Sequence, residues 1–389
     1  DVSDIEYLKT LKGNDDKPLF QNDFLEYLSN LKFEGDIDAV EEGRIVFPHE
    51  PMLRIKAPII FGQLLETPLL NILNFQTLIA TKTQRVCKAA QGDAVLEFGL
   101  RRAQGVDGAI SAAYASMVGG AHATSNVLAG KIHGMDVKGT HAHSWVMSYE
   151  EEVEAFEAYA DSMPNNCTFL VDTYNTKNGI THAINTGKKL REKGHEMVGI
   201  RLDSGDLAAL SIIARQMLDD GGFPNTKIVA SNDLDEYRIM ELKKAGAKID
   251  IWGVGTKLVT AYDQPALGGV YKLGAIQSAQ GWKYKIKKSE DLIKVSNPGV
   301  LNIKRFFDQE KMCFDVIYNS EQGLGDKRYN LQDNQEALID QGLSSEDLLV
   351  PIFKAGKLVY KIPSIQETHQ KRMKDLASLS TKLSKLETS

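Results

Sequence analysis

Arg201-Leu202-Asp203-Ser204-Gly205-Asp206 sets one guanidinium and two carboxylates at the end of a short apolar run. A solvated turn often carries charge, but it has no need of an arginine before and two aspartates after. A phosphorylated sugar does: a cation for its anionic groups, a carboxylate for its diol and another for Mg²⁺. Gly253-Val254-Gly255-Thr256 ends a second run, and glycines there let backbone N–H groups approach a phosphate. The same tetrapeptide also suits a plain strand-to-helix turn. Neither the P-loop signature nor the dinucleotide-binding glycine signature occurs.

His141 and His143 close a third run. At i and i+2 they would share a strand face, which allows a two-histidine metal site, but no third ligand lies nearby in sequence. A catalytic histidine at a strand end is the better reading. Glu97-Phe98-Gly99-Leu100-Arg101-Arg102 offers an aromatic face beside two guanidiniums. That combination suits a flat anionic heterocycle, stacked on the ring and gripped through its carboxylate. It also suits a core phenylalanine followed by two surface arginines.

These groups need a scaffold that gathers strand ends. From residue 94 onward, apolar runs (Ala94–Phe98, Asp136–Lys138, Thr168–Val171, Val198–Leu202, Lys227–Ala230, Ile249–Trp252) alternate with helical patterns at 150–160, 178–193, 207–218 and 234–245. A further short strand is expected near 121–124. Such alternation implies a parallel sheet with crossover helices. Polar residues follow nearly every run, which favours a β/α barrel, where all strand ends converge on one face. An open doubly wound sheet would use only the ends near its switch point.

Residues 1–93 read as a helix over 23–31, two strands within 43–56 interrupted by Pro48 and Pro51, and a mostly buried helix over 64–86. Beyond 275 the pattern turns antiparallel at 282–287, 300–307 and 313–319, then to a lysine-rich solvated helix from about 366. The expected division is 1–93, 94–275 and 276–389, the first and last segments packing together. With 389 residues, a net charge of −6 and a pI near 5.8, the chain lacks the basic footprint of a nucleic-acid binder. No run approaches the ~20 apolar residues of a bilayer span. Cys87, Cys167 and Cys313 show no zinc or disulfide spacing, in keeping with reduced thiols in a cytoplasmic protein.

The segments EFGLRRAQGVDGA, TSNVLAG, GTHAHSW, VDTYNT, RLDSGDL, ASNDLDE and WGVGT, in this order and spacing, resemble the nicotinate phosphoribosyltransferases. LLETPLLNILNFQTLIATK and VYKL fit as well, and the likeness covers essentially the whole chain. It implies transfer of phosphoribosyl from 5-phosphoribosyl 1-pyrophosphate to nicotinate, giving nicotinate mononucleotide and pyrophosphate, with ATP hydrolysis coupled through a phosphohistidine. It implies an irregular β/α barrel beside an α+β domain built from both chain ends, Mg²⁺ on the substrate phosphates, and a homodimer with active sites near the interface. By motif, His143 matches the phosphorylated histidine, whereas His141 falls at a variable position. Arg201 and Asp203 match catalytic positions, Asp203 on the ribose and Mg²⁺-pyrophosphate side, with Asp206 a further candidate for Mg²⁺. Phe98 and Arg101 match the pyridine side. Thr140, Asp172, Ser231, Asn232, Gly253, Gly255 and Thr256 match substrate-binding positions, the last five at phosphate-facing strand ends. The family also carries several dozen residues ahead of the position of Asp1, with a tyrosine that reaches the neighbouring subunit, so residues are expected to precede this chain. A nicotinamide or quinolinate phosphoribosyltransferase and an inactive substrate-binding relative are the alternatives.

Overall fold

A computed structural model describes residues 1–287, 296–330, 335–380 and 386. The chain divides into two compact units. One comprises 1–41, 46–67 and 272–362, and the other 42–45, 68–271 and 363–389. The division departs from the segments expected at 93 and 275. The long helix Ile59–Ala90 is split at Pro68, and the C-terminal helix Ile365–Ser378 falls in the second unit.

The second unit is built on six parallel strands: β1 (Ala94–Glu97), β2 (Ala123–Thr124), β3 (Thr168–Leu170), β4 (Gly199–Leu202), β5 (Lys227–Ala230) and β6 (Ile251–Val254). Their order is β2-β1-β6-β5-β4-β3. The run 136–138 forms a single parallel bridge, Val137 to Thr124, outside β2. Six strand spacings then separate this segment from β3, roughly 29 Å in a flat sheet. Yet the Leu170 N–H of β3 donates to Nε2 of His141, just past the 136–138 segment, at 3.2 Å. The sheet therefore curls until its edges meet, and a histidine side chain bridges the seam where no backbone ladder forms. This is an irregular β/α barrel.

Side chains alternate as the curl requires. In β4, Ile200 and Leu202 are fully buried toward the helices, whereas Arg201 points into the mouth. The helices Glu152–Ser162, Thr176–Glu192, Leu207–Asp220 and Glu236–Lys244 pack outside. Phe156, Phe169, Ile180, Leu218 and Trp252 anchor the shared core, each with essentially no exposure.

Three expectations need correction. The Ile59–Ala90 helix is not mostly buried: Ile59, Leu64 and Ile72 are exposed, and apart from Phe61 its buried side chains lie from Leu78 onward. The C-terminal helix is not simply solvated. Arg372 donates to the Gly119 carbonyl at 2.7 Å, and Asp375 accepts from Arg44 Nε at 2.9 Å and Ile45 N at 2.8 Å. Its lysines gave it a polar reading, but four of its polar side chains are the ones that dock. In the first unit, the strand pair is Asp36–Val40 with Leu53–Lys56, so 43–51 holds no strand. Asp36 and Asp38 gave the first strand a poor β-propensity. In the sheet Arg54 and Lys354 neutralise them, so context overrides propensity. That four-stranded sheet also contains Leu349–Lys354 and Lys357–Leu358, joining both ends of the chain. The hairpins Ala275–Ser278 with Gly281–Tyr284 and Leu301–Asp308 with Lys311–Asn319 supply the antiparallel pattern.

Candidate functional site

Arg201 organises the barrel mouth. Its Nε donates to Ser231 Oγ at 2.8 Å, Nη1 to Thr140 Oγ1 at 2.8 Å and Nη2 to Asp203 Oδ1 at 3.0 Å. Its guanidinium carbon lies 5.7 Å from the Phe98 ring centroid. One side chain thus ties together loops that are distant in sequence. The Ser231 hydroxyl also donates to Asp203. Burial pushes the Asp203 carboxyl up, but Ser231, Arg201 and His143 outweigh it and hold the group below its ordinary value. Asp203 is therefore a fixed anion at neutral pH.

His143 opens the short helix His143–Val146 and is about one-third exposed. Its Nδ1 lies 3.1 Å from Thr173 Oγ1. Its Nε2 faces two carboxylates, 3.8 Å from Asp172 Oδ1 and 3.6 Å from Asp203 Oδ2. Asp172 is pinned through its other oxygen, which accepts from Asp203 N and Ser204 Oγ, both at 2.7 Å. Oδ1 of Asp172 is buried and lacks a hydrogen-bond partner. An orphaned carboxylate oxygen beside another carboxylate suits a hard cation that keeps its remaining ligands from phosphate and water, as Mg²⁺ does. Among the described residues no group of three or more His, Cys, Asp or Glu comes together as a self-sufficient metal site.

His141 behaves differently. It packs against Tyr159 with ring centroids 4.9 Å apart and accepts from Leu170 N. Burial pushes its imidazole down to about 4, so it is a neutral seam piece. Asp206 is used as a helix cap, its Oδ1 accepting from Ala208 N and Ala209 N.

The aromatic side is held by β1 and β6. Phe98 N donates to Val254 O at 2.8 Å. Gly253 lies inside β6, not in the turn after it, because the strand runs on to Val254. A Cβ on Gly253 would stand 2.6 Å from Cδ2 of Phe98, so this glycine makes room for the ring. A Cβ on Gly255 would meet the Phe98 carbonyl at 3.0 Å. Glu97, which drew no role from sequence, is buried beneath. It accepts from Thr124 Oγ1 at 2.6 Å and from Gly99 N, fixing the turn that aims Phe98. Arg101 is exposed on the turn Leu100–Arg102, outside the Arg201 network.

Past β5, Ser231 is buried while Asn232 and Asp233 adopt φ of 96° and 45°. Two successive left-handed non-glycine residues are costly and cluster at functional turns. Thr256 opens the short helix Thr256–Val259 across from them. Sequence reasoning also missed Thr173, Ser204, Asp235 and Lys257. Thr173 and Ser204 each follow a selected aspartate, a signal that was present.

A model of the nicotinate phosphoribosyltransferase (NAPRTase) family matches residues 94–315, and those of its N-terminal and C-terminal domains match 1–74 and 302–388. A Bacillus subtilis (strain 168) nicotinate phosphoribosyltransferase is 45% identical over 381 residues, spanning 94% of this chain and 77% of that protein. The crystal structure of human nicotinic acid phosphoribosyltransferase superposes with a TM-score of 0.83 at 27% identity, covering 98% of this chain and 83% of that one. A nicotinate-nucleotide pyrophosphorylase from Pyrococcus furiosus shares the fold, with a TM-score of 0.68 at 22% identity over 91% of this chain and 83% of that one.

Proposed function

Since this chain belongs to the nicotinate phosphoribosyltransferase family, we propose that it transfers the phosphoribosyl group of 5-phosphoribosyl 1-pyrophosphate to nicotinate in NAD biosynthesis. The carrying observation is Arg201, which joins the aromatic side at Phe98, the carboxylate Asp203 and the phosphate-side residue Ser231. In this reading nicotinate lies against Phe98, and the Arg201 guanidinium faces its carboxylate or the nearby phosphates. The pyridine nitrogen bonds to the ribose anomeric carbon as the bond to pyrophosphate breaks. Asp203 stands as a fixed anion where the sugar becomes cationic. Bound Mg²⁺, held by Asp172 Oδ1 and Asp203 together with substrate oxygens, would offset the pyrophosphate charge.

ATP coupling through His143 belongs to the same proposal. With the Nδ1 proton donated to Thr173 Oγ1, the Nε2 lone pair is free to attack the γ-phosphorus of ATP, and ADP leaves. A phosphoryl group on Nε2 would sit between Asp172 and Asp203, which requires the cation just described. A cytosolic homodimer belongs to the same proposal, and light scattering checks the dimer.

The test is product analysis with 5-phosphoribosyl 1-pyrophosphate, Mg²⁺ and ATP, offering nicotinate, nicotinamide and quinolinate in turn. Nicotinate mononucleotide is the expected product; preference for another acceptor, or binding without turnover, overturns the assignment. Incubation with γ-labelled ATP should give acid-labile protein phosphate that His143→Ala abolishes. Label retained by the folded variant removes His143 from ATP coupling.

A further inference from the structure

Two turns face the proposed phosphate side, 231–235 after β5 and 255–257 after β6. One ion pair joins them. Lys257 Nζ donates to Asp235 Oδ2 at 2.7 Å, with side chains 28% and 7% exposed. The other oxygen of Asp235 accepts from Arg238 N at 2.7 Å, capping the helix Glu236–Lys244. Lys257 directly follows Thr256, and Asp235 closes the stretch that begins with Ser231 and holds the left-handed pair Asn232 and Asp233. Such a pair persists only where its surroundings over-determine it. Its N-terminal side is fixed by the bonds of Ser231 to Arg201 and Asp203. Its C-terminal side is fixed by the cap and by Lys257.

We propose that Asp235 and Lys257 form a latch that clamps the strained turn at Asn232 against the turn at Thr256, so that both present their groups to one phosphate of the ribosyl donor. This rests on the reading given under Proposed function. Both are positioning residues, since each gives its direct ion pair to the other, with Asp233 and Asp263 adding to the field at Lys257 and Lys82 to that at Asp235. The alternative, in which Lys257 itself grips the phosphate, predicts the opposite sign for one variant. Asparagine caps helices as well as aspartate does. Asp235→Asn therefore keeps the cap but removes the ion-pair partner of Lys257.

With a latch, Asp235→Asn and Lys257→Met each raise KM for 5-phosphoribosyl 1-pyrophosphate about tenfold. KM for nicotinate and kcat stay within about twofold, and the double variant is no worse than either single one, because one contact is lost once. Amide exchange at 231–233 should quicken in both variants. Wild-type turnover is measured first, so a failure of the family activity is seen separately. Tighter donor binding in Asp235→Asn, unchanged donor KM in both folded variants, or equal rises for both substrates would each overturn the latch.

Discussion

Replacing Arg201 with lysine keeps the charge and discards the fork. The guanidinium sends three nitrogens in three directions, to Ser231, Thr140 and Asp203. A lysine ammonium is a single point and cannot stand where all three bonds are made. The ion pair with Asp203 is the contact it would keep, so two hydrogen bonds to hydroxyls are lost. Each has a charged donor and contributes about 1.5 kcal/mol net at the least. Neither hydroxyl is left stranded, because Ser231 still donates to Asp203 and Thr140 to the His141 carbonyl. The loss is thus about 3 kcal/mol, or about a hundredfold at 1.4 kcal/mol per decade. The assay is kcat/KM for each substrate with the other saturating, alongside a melting curve. Arg201→Lys with native Tm and kcat/KM within threefold of wild type refutes the organising role. A lowered Tm with unchanged kcat/KM would show a structural tie rather than a site residue.

Gly253→Ala places a Cβ 2.6 Å from the Phe98 ring, so the ring must move at a cost of about 1–3 kcal/mol; nicotinate KM should rise about tenfold while the donor KM holds, and an unchanged nicotinate KM removes Phe98 from acceptor binding. His141 titrates near 4 when folded and at an ordinary value of 6.5 when unfolded, so between those limits the unfolded chain takes up the proton and stability falls with acid, by up to about 1.4 kcal/mol per pH unit. His141→Gln retains an acceptor for Leu170 N and should lose less stability between pH 7 and 5 in urea melts; a parallel loss refutes the neutral seam. Burial, then the hydrogen bond with Asp315, raises the Glu50 carboxyl from 4.5 to about 8. The folded chain holds a proton the unfolded chain has released, so stability falls as pH rises across that range, and Glu50→Gln should flatten the fall in Tm; an identical pH profile sinks the shared proton.

Much of the second unit was legible because β/α alternation is local. An apolar run such as Lys227–Ala230 followed by a helical period leaves few folded options, and β5 takes those bounds. The strand ends likewise marked Arg201, Asp203 and His143 as chemistry-bearing groups in the sequence itself. Outside the barrel the periodicity misled, because its evidence was not local. The strand Asp36–Val40 carries Asp36 and Asp38, and it is the pairing with Leu53–Lys56 and the distant Leu349–Lys354, with Arg54 and Lys354 against its carboxylates, that holds it as a strand. Polar residues of the C-terminal helix read as solvated because their partners, Gly119 and Arg44, lie hundreds of positions away.

Residue types, and which of them end strands, were determined by the sequence alone. Tertiary structure decided which of two near-identical histidines faces the carboxylates. His141 and His143 stand two residues apart, yet one turns into an aromatic pocket at the seam and the other meets Asp172 and Asp203. It also decided that Gly253 serves the Phe98 ring and that Asp206 caps a helix. Spacing fixes which side chains share an element, but what each one touches depends on how the sheet curls, and that curl is set by the packing of the whole barrel.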